Sequence, residues 1–295
     1  MPRYSAAPGE RGGMPPAIAA RLLEIGPGIE PAATAEIYAP VHAAAHDAGH
    51  GIIRDCAYGP HERNILDVLS PDDGAGRRPV LAFVHGGGFT RGAKNLPGLP
   101  FYDNILRWAA GNGLVGVTVN YRLAPDHVWP SGIEDLTAVS EWIQGNIRNF
   151  GGDPSRVYFW GHSAGAAHVG DYIADREGSE APTGLAGAIL TSGFYDLGTA
   201  ESAWSVYYGA DVSQYARRSS LPGLASASLP ILVNDADLDP EPFRLQAEAL
   251  TAARRAAGTP VDYLRLRGHS HISETYAVGT EDTTLSAEVR RFIGH

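Results

Sequence analysis

Short, continuous apolar runs recur along the chain from residue 52 onwards. The first two, at residues 52–58 and 64–70, are joined by the turn GPHER and predict a pair of strands. The runs from PVLAFV to PILVND do not alternate between apolar and polar positions, which is typical of strands buried on both faces of a parallel sheet. The eight predicted strands carry the sequences IIRDCAY, NILDVLS, PVLAFV, LVGVTVNY, RVYFWG, GLAGAILTSG, PILVND and VDYLRLR.

Segments with helical periodicity lie between these runs. Apolar positions three and four residues apart predict helices over residues 132–149, 241–257 and 283–293, and Gly258 is a suitable stop for the second. Strands that alternate with helices imply an α/β fold. We expect a mainly parallel, eight-stranded sheet with helices on both faces.

The N-terminal part of the chain has a different pattern. Residues 1–16 are rich in Gly, Pro and Ala, and we expect them to fray. Residues 17–50 contain helical stretches that we expect to be broken at Pro27 and again at Pro40. We therefore divide the chain into an N-terminal arm or small lid, residues 1–50, and an α/β catalytic domain, residues 51–295.

Composition and charge narrow the function. The 295 residues carry a formal net charge of −10 and no cluster of Lys or Arg, so we expect no nucleic-acid partner. Cys56 is the only cysteine, which excludes an intramolecular disulfide and a CxxC site, and we expect it to be buried. The N-terminus lacks the apolar segment of a secretory signal, and no run approaches the roughly 18 apolar residues that span a membrane. We expect a cytoplasmic protein that does not contact membranes.

The strongest chemical signal is the segment GHSAG at residues 161–165. It follows a predicted strand and precedes a helical stretch, which is the context of a G-x-S-x-G nucleophile turn. Glycines are needed at both ends because side chains in so tight a turn would collide with the neighbouring strand and helix. The motif predicts that Ser163 stands at the C-terminal edge of the sheet as a nucleophile.

A second motif, HGGGF at residues 85–89, ends the third predicted strand. Its glycines allow the backbone to approach a ligand and to direct N–H groups at the oxyanion that develops in acyl transfer. Ala164, the residue after the nucleophile, is expected to supply another donor. A phosphate-binding loop is disfavoured because the patterns G-x-G-x-x-G and G-K-[ST] are both missing.

A serine nucleophile needs a histidine base and a carboxylate that orients the base, and here they should follow in the order acid, then histidine. The segment at the end of strand PILVND offers Asp235, Asp237 and Asp239, and the segment after the next strand offers His269 and His271. We favour Asp239, because it precedes a proline and a helix and can reach sideways to the next loop, and we favour His271 as the base. The other three residues remain alternatives.

The remaining histidines carry weaker signals. His42, His46 and His50 are four residues apart, a spacing found among metal ligands, but no cysteine or carboxylate pattern accompanies them. We predict no metal site there. His162 and His168 are expected to pack or to face solvent rather than to act in catalysis.

Three motifs in combination resemble a known family. HGGGF at 85–89, NYRLAP at 120–125 and FGGDPSRVYFWGHSAGA at 150–166 are similar to the hormone-sensitive-lipase-like and carboxylesterase branch of the α/β hydrolases. The resemblance covers about residues 52–293. It is specific for fold and catalytic machinery but not for the substrate.

This resemblance implies a catalytic triad of Ser163, Asp239 and His271. It also implies that Arg122 and its segment are structural. Esterases of the hormone-sensitive-lipase-like type usually carry Asp before the nucleophile, where this chain has His162. GHSAG is more similar to feruloyl-esterase-like and kynurenine-formamidase-like relatives, which cleave aryl esters or N-formyl amides. The implied oxyanion donors are Gly87, Gly88 and Ala164, with His85 and Gly86 supporting the motif.

The predicted substrate pocket is small. About thirty residues separate SGFYDL from PILVND, so no large lid is inserted there. Side chains in this gap and near the motifs suit small or aromatic substrates better than long triglycerides. The candidate pocket residues are Phe89, Trp129, His162, Trp204, Tyr207 and Tyr208.

The sequence therefore predicts a serine hydrolase that cleaves short-chain or aryl carboxylic esters through an acyl-enzyme on Ser163. No metal or organic cofactor is expected; the expected partner is a small-molecule ester or amide, and a homo-oligomer is compatible with the sequence. One alternative is an amidase or arylformamidase with the same triad. Another is a non-catalytic small-molecule receptor, which His271 disfavours because receptors of this fold typically lose that histidine.

Overall fold

The computed structural model describes residues 3–4, 12–44, 51–71, 76–174, 184–199 and 204–294. Its strands form one sheet. They are β1 (Arg3–Tyr4), β2 (Ile53–Ala57), β3 (Ile65–Leu69), β4 (Arg78–Val84), β5 (Val115–Val119), β6 (Gly152–His162), β7 (Leu185–Thr191), β8 (Ile231–Leu238) and β9 (Val261–Ser270).

The sheet is mainly parallel, as predicted. Its strand order is β1-β9-β8-β7-β6-β4-β5-β3-β2, and among the described residues the antiparallel pairs are β2–β3 and β3–β5. All eight predicted strands are present. The additional strand β1 pairs parallel with β9, with Arg3 opposite Leu264. Gly12 accepts a hydrogen bond from the N–H of Thr283, and Met14 is buried, so the expectation of a frayed N-terminus is wrong at residues 3–4 and 12–16. Residues 5–11 lie outside the described residues.

Helices connect the strands, and the three predicted ones are found. The helix expected over 132–149 ends at Asn146 and continues as a 3-10 turn over Ile147–Phe150. The helices are α1 (Pro16–Ile25), α2 (Pro31–Ala44), α3 (Asp103–Gly111), α4 (Ser131–Asn146), α5 (Ala164–Ala174), α6 (Ser205–Tyr208), α7 (Tyr215–Arg218), α8 (Leu221–Ser226), α9 (Glu241–Ala257), α10 (Ser273–Tyr276) and α11 (Thr284–Ile293).

The sheet separates two apolar cores, which explains the continuous apolar runs. Along β4, Val80 and Ala82 point into one core and Leu81 and Phe83 into the other, because successive strand side chains face opposite sides. Helices α4, α5, α8 and α9 cover the first core. Helices α1, α2, α3 and α11 cover the second.

The N-terminal arm packs on the second core. Helix α1 lies against β9 and helix α2 against α10, and Leu22 and Tyr38 are fully buried there. The expected break at Pro40 is wrong, because Pro40 lies inside the continuous helix α2. A proline inside a helix removes one N–H from the helical ladder and its ring crowds the carbonyl four residues earlier, so other contacts must hold the helix there. Packing of Tyr38 and a hydrogen bond from His42 Nε2 to the carbonyl of Tyr276 (2.8 Å) hold the helix on both sides of it.

Two further expectations concern the exterior of the fold. Cys56 is only partly buried, because it lies on the edge strand β2, most of whose side chains are exposed. The expectation of a fully buried thiol is therefore wrong. No helix within the described ranges combines the length and apolar character needed to cross a bilayer.

The parallel strands fix where chemistry can occur. The C-terminal ends of β4, β6, β7, β8 and β9 meet at one edge of the sheet. The loops that follow these strands carry the HGGG segment, Ser163, Ser192, Asp239 and His271.

Candidate active site

Ser163 occupies a sharp turn between β6 and α5. Its φ of 55° is in the left-handed region, which a residue other than glycine adopts only when the surrounding structure enforces it. The neighbouring backbone does so. A Cβ atom on Gly165 would lie 2.1 Å from the carbonyl oxygen of Val84, so helix α5 touches the end of β4 at a distance that only glycine permits. The turn presents Ser163 at the edge of the sheet.

The glycine loop after β4 runs beside this serine. A Cβ on Gly86 would lie 3.0 Å from Cβ of Ser163, and Gly87 and Gly88 have φ values of 133° and 59°, which favour glycine. Within the described part of the chain, the N–H groups of Gly87 and Gly88 have no hydrogen-bond acceptor. Ala164 is the first residue of α5, where helical N–H groups lack intrahelical partners.

His85 supports this loop from below. It is fully buried and stacks on Tyr121 with ring centroids 4.3 Å apart. Its Nδ1 donates to the carbonyl of Gly86 at 2.6 Å, and burial lowers its pKa to about 3, so the ring is neutral. The side chain therefore fixes the first peptide of the loop.

Asp239 and His271 are in direct contact. Nδ1 of His271 donates to Oδ1 of Asp239 at 2.7 Å, and both side chains are essentially inaccessible. The second oxygen of Asp239 accepts from Oγ of Ser192 (2.6 Å) and from N–H of Ala236 (2.9 Å). Burial raises the pKa of Asp239, but the charge and hydrogen bond of His271, together with these donors, outweigh it and hold that pKa below its ordinary value.

The alternative acids occupy other positions. Asp235 is bound by Arg265, with Nη2 2.6 Å from Oδ2, and by the hydroxyl of Tyr263. Burial outweighs these contacts and raises the pKa of Asp235 to about 6. Asp237 is exposed and accepts from the N–H of Gly268 at 3.1 Å. Neither acid contacts His271 in the described structure.

The alternative histidine, His269, has structural partners. Its Nε2 lies 2.9 Å from Oδ2 of Asp282, and its Nδ1 lies 3.0 Å from Oγ of Ser273. Of the five predicted candidates for acid and base, the fold brings together Asp239 and His271.

Ser163 and His271 line one cavity of about 500 Å³. Nε2 of His271 is buried and has no hydrogen-bond partner among the described residues. Most of the other walls are apolar or glycine. The lining residues are Ile29, Pro31, Gly86, Gly87, Gly88, Thr90, Arg91, Gly92, Leu96, Tyr102, His162, Ser163, Trp204, Val206, His271, Ile272 and Tyr276.

Of the six predicted pocket residues, the structure places two on the wall of this cavity. Trp204 and His162 line the cavity, but Phe89 stacks on Tyr207 with centroids 4.5 Å apart and both rings are buried. Tyr208 is also buried, and its hydroxyl donates to Asp171 at 2.8 Å. These three rings form a packed cluster beside the cavity rather than its wall.

Trp129 is also misplaced by the sequence prediction. It lies under the guanidinium of Arg218, 5.0 Å from the ring centroid, and lines a separate cavity. The cavity walls that sequence reasoning missed include Ile29, from the link between α1 and α2, Pro31, the first residue of α2, and Tyr276 of α10. No periodic pattern marks them, because they lie in a loop, at the first position of a helix and in a helix of four residues.

His162 has a structural role that its motif position did not reveal. Its Nε2 donates to the backbone carbonyl of His271 at 2.7 Å, so its other ring nitrogen is unprotonated. Burial, with the neighbouring His271, lowers its pKa to about 3. The neutral ring ties the end of β6 to the loop that carries His271.

Sequence reasoning also missed Glu274, three residues after His271. It is fully buried, lies 2.8 Å from Oγ of Ser192 and accepts from Nδ2 of Asn234 at 3.1 Å. Burial and the nearby Asp239 raise the pKa of Glu274 well above its ordinary value.

Two groups of side chains have the residue types of metal ligands. In the described ranges, one group of His, Cys, Asp or Glu side chains has ligand atoms within 4.8 Å of one another: His162, His271 and Glu274. Each of the three already has a hydrogen-bond partner. His162 donates to the carbonyl of His271, His271 donates to Asp239, and Glu274 contacts Ser192 and accepts from Asn234. His42 is buried against α10, and His46 and His50 lie outside the described residues.

Comparison with known proteins gives consistent results. A family model described as alpha/beta hydrolase fold matches residues 81–274. Esterase LipQ of Mycobacterium tuberculosis is 31% identical over 264 residues, covering 81% of this chain and 61% of LipQ. Carboxylesterase NlhH of the same organism is 43% identical over 88 residues, which is 30% of this chain and 26% of NlhH. The chain thus matches less than two thirds of the length of these relatives.

Solved structures show the same fold at lower sequence identity. Esterase B from Lactobacillus rhamnosis, in a structure with a tributyrin phosphonate inhibitor, has a TM-score of 0.71 at 17% identity and covers 94% of this chain and 95% of its own. A bacterial heroin esterase has a TM-score of 0.70 at 24% identity and covers 94% of this chain and 96% of its own. At these identities the likeness concerns the fold.

Proposed function

The chain belongs to the alpha/beta hydrolase fold family, and on that premise we propose that it is a serine hydrolase of short-chain or aryl carboxylic esters. One observation carries the proposal. Ser163, on an enforced left-handed turn, shares a cavity with His271, whose other ring nitrogen donates to the buried Asp239 at 2.7 Å. A nucleophile, a base and an orienting acid in this arrangement suit acyl transfer.

The reaction begins when Oγ of Ser163 attacks the substrate carbonyl carbon and Nε2 of His271 takes the hydroxyl proton. Asp239 keeps the proton of the imidazole on Nδ1 and stabilises the imidazolium that forms. The tetrahedral intermediate then collapses, the C–O bond to the alcohol breaks, and His271 gives its proton to the leaving oxygen. Water, deprotonated by His271, attacks the acyl-enzyme; the bond between the acyl carbon and Oγ of Ser163 breaks, His271 returns the proton to Oγ, and the acid is released.

Backbone donors stabilise the oxyanion of this intermediate. The N–H groups of Gly87 and Gly88 are free of acceptors within the described residues, and Ala164 begins helix α5 directly after the nucleophile. Donors fixed by the backbone need no reorganisation when the charge develops.

The cavity supports small or aromatic substrates. Its volume of about 500 Å³ holds a ligand of moderate size, and Leu96, Tyr102, Trp204 and Ile272 give it apolar walls. The proposal also includes a division of the chain into an arm, residues 1–50, and a catalytic domain, residues 51–295. It further places the protein in the cytoplasm, with a small molecule as its substrate and with no nucleic-acid or membrane partner.

Turnover of p-nitrophenyl acetate by the purified protein and by Ser163→Ala tests the nucleophile. The wild type is expected to hydrolyse the ester and to be labelled by an alkyl phosphonate at Ser163, and the variant is expected to do neither. Turnover that survives in Ser163→Ala contradicts the assignment.

A panel of esters of increasing acyl length, aryl esters and N-formylkynurenine tests the substrate class. Higher kcat/KM on short-chain or aryl esters supports the proposal. Preference for N-formylkynurenine identifies an arylformamidase with the same machinery. Ligand binding without turnover of any ester or amide identifies a receptor.

A further inference from the structure

We propose that Glu274 is a protonated carboxylic acid at neutral pH and a positioning residue for Asp239, to which it is connected through the hydroxyl of Ser192. The kinetic part of this inference rests on the proposed ester hydrolysis. Its structural part does not, because it follows from where the protons of the buried network must lie.

Ser192 lies between two carboxyl groups. Its Oγ is 2.6 Å from Oδ2 of Asp239 and 2.8 Å from Oε2 of Glu274, and all three side chains are buried. A serine hydroxyl has one hydrogen, so it can donate to only one of these oxygens. The second contact is a hydrogen bond only if one of the two carboxyl groups carries a proton.

A chain of hydrogen bonds from Trp160 determines which oxygen of Glu274 is free to carry it. The indole N–H of Trp160 can only donate, and it donates to Oγ1 of Thr191 at 2.8 Å. Thr191 in turn donates to Oδ1 of Asn234 at 2.8 Å. The amide group of Asn234 therefore faces Glu274 with its N–H, which donates to Oε1 at 3.1 Å. Oε1 is an acceptor, so a proton on Glu274 lies on Oε2, the oxygen that faces Ser192.

Asp239 does not carry the proton. Its Oδ1 accepts from Nδ1 of His271, and its Oδ2 accepts from N–H of Ala236 in addition to Ser192. Both oxygens are thus surrounded by donors, which stabilise a carboxylate. The resulting order is Glu274 Oε2–H to Ser192 Oγ, and Ser192 O–H to Asp239 Oδ2.

The surroundings of Glu274 are consistent with a neutral acid. No Lys or Arg of the described residues pairs with it, and Nε2 of His162, 3.9 Å away, directs its proton at the carbonyl of His271. The other titratable groups near it are His271, with a ring nitrogen within 4.8 Å of a carboxyl oxygen of Glu274, the acids Asp239 and Asp235, and the phenol of Tyr195. A second carboxylate in this space would repel that of Asp239, whereas a carboxylic acid supports it.

Infrared spectroscopy tests the protonation state directly. At pH 8 the wild type is expected to show the C=O stretch of a buried protonated carboxylic acid, which is separate from carboxylate bands. The band should shift on labelling with ¹³C-glutamate and disappear in Glu274→Gln, and it should remain in Glu248→Gln, a matched change at an acid that ion-pairs with Arg265 at the surface. Absence of the band in the folded wild type overturns the proposal, whatever the enzyme's activity.

Kinetics test the positioning role. Glu274→Gln keeps an N–H donor towards Ser192 and adds no charge, whereas Glu274→Leu removes the donor. We expect kcat of Glu274→Leu to fall about tenfold with KM within about twofold, and Glu274→Gln to recover most of that loss. Ser192→Ala, which breaks the same connection, should lower kcat by a similar factor, and it serves if Glu274→Leu does not fold.

The pH profile separates a neutral from an ionised Glu274. Replacing a neutral acid by glutamine leaves the midpoint of the acidic limb of kcat/KM in place. Replacing a buried carboxylate removes a negative charge near His271 and should move that midpoint down by about one pH unit or more. Such a shift, or equal losses in Glu274→Gln and Glu274→Leu, overturns the proposal. If the wild type hydrolyses no ester, the proposed function fails while the infrared result still decides the state of Glu274.

Discussion

Gly165→Ala is expected to disturb both stability and catalysis, although it adds only one methyl group. Gly165 is the second residue of α5, and its backbone conformation is one that alanine also adopts. The obstacle is contact: the new Cβ would lie 2.1 Å from the carbonyl oxygen of Val84 and 2.6 Å from that of His85. Both are backbone atoms at the end of a central strand, so no side-chain rotation relieves the overlap.

The magnitude follows from this geometry. Normal contact requires α5 and the end of β4 to separate by about 1 Å or more. Overpacking of this kind in a core costs about 1–3 kcal/mol of unfolding free energy. Because β4 leads into the HGGG loop and α5 begins at Ser163, the same separation moves the oxyanion donors away from the nucleophile. A misplacement of about 1 Å in an active site lowers the rate on the order of 100-fold.

Gly145→Ala is the matched control. Gly145 lies in α4, it is exposed, and a Cβ there meets no atom within 4 Å. Alanine should raise the free energy of unfolding by about 0.5–1 kcal/mol, because it is the better helix former. Urea unfolding followed by tryptophan fluorescence and kcat on p-nitrophenyl acetate measure both effects. If Gly165→Ala matches the wild type within about 0.5 kcal/mol and keeps its kcat, the contact between α5 and β4 does not constrain the site.

Three further predictions follow from the site. Asp239→Asn should lower kcat by about 10⁴-fold with little change in KM, because it favours the wrong imidazole tautomer; kinetics on a short-chain ester check this. Burial lowers the pKa values of His85, His162 and His168 from 6.5 to about 3, so the folded chain binds fewer protons than the unfolded chain between these pH values. Stability should therefore fall as pH drops from 6.5, by about 1.4 kcal/mol per pH unit for each histidine, and His168→Phe should reduce the slope in urea titrations by one such step. Among the described residues, Arg91 is the one Lys, Arg, Asp or Glu that lines the cavity, and it can attract the free carboxylate of a succinate monoester. Arg91→Gln should therefore raise KM for that substrate by up to about fivefold and leave KM for a neutral ester unchanged.

The main strands could be predicted because a strand that is buried on both faces carries apolar residues at successive positions, and such a run is visible in the sequence. Strands β4 to β8 contain continuous apolar runs, and the placement of Ser163, Asp239 and His271 at one edge follows from the direction in which parallel strands present their C-terminal ends. The sequence favours Asp239 over Asp235 because Asp239 precedes a proline and a helix. In the structure Asp235 forms an ion pair with Arg265 and does not contact His271.

Other features depend on contacts that no local pattern encodes. Phe89 and Tyr207 are far apart in sequence, and only the fold stacks them into a cluster instead of a pocket wall. Glu274 follows the histidine loop, but its role depends on Ser192, 82 residues earlier, and on Asn234 of β8. Such a network is assembled from the ends of three strands, so its members become visible only when the sheet is complete.

The residues from the end of α1 to the start of α2 help to shape the cavity, but none of them belongs to the proposed triad. Ile29 and Pro31, the first residue of α2, form part of the cavity wall, and both side chains are exposed. Loops of this kind accept substitutions more readily than the strands they adjoin. The range of accepted substrates can therefore diverge among descendants of this chain, or be redirected in the laboratory, through a few positions near residue 30 while the proton-transfer machinery is inherited unchanged.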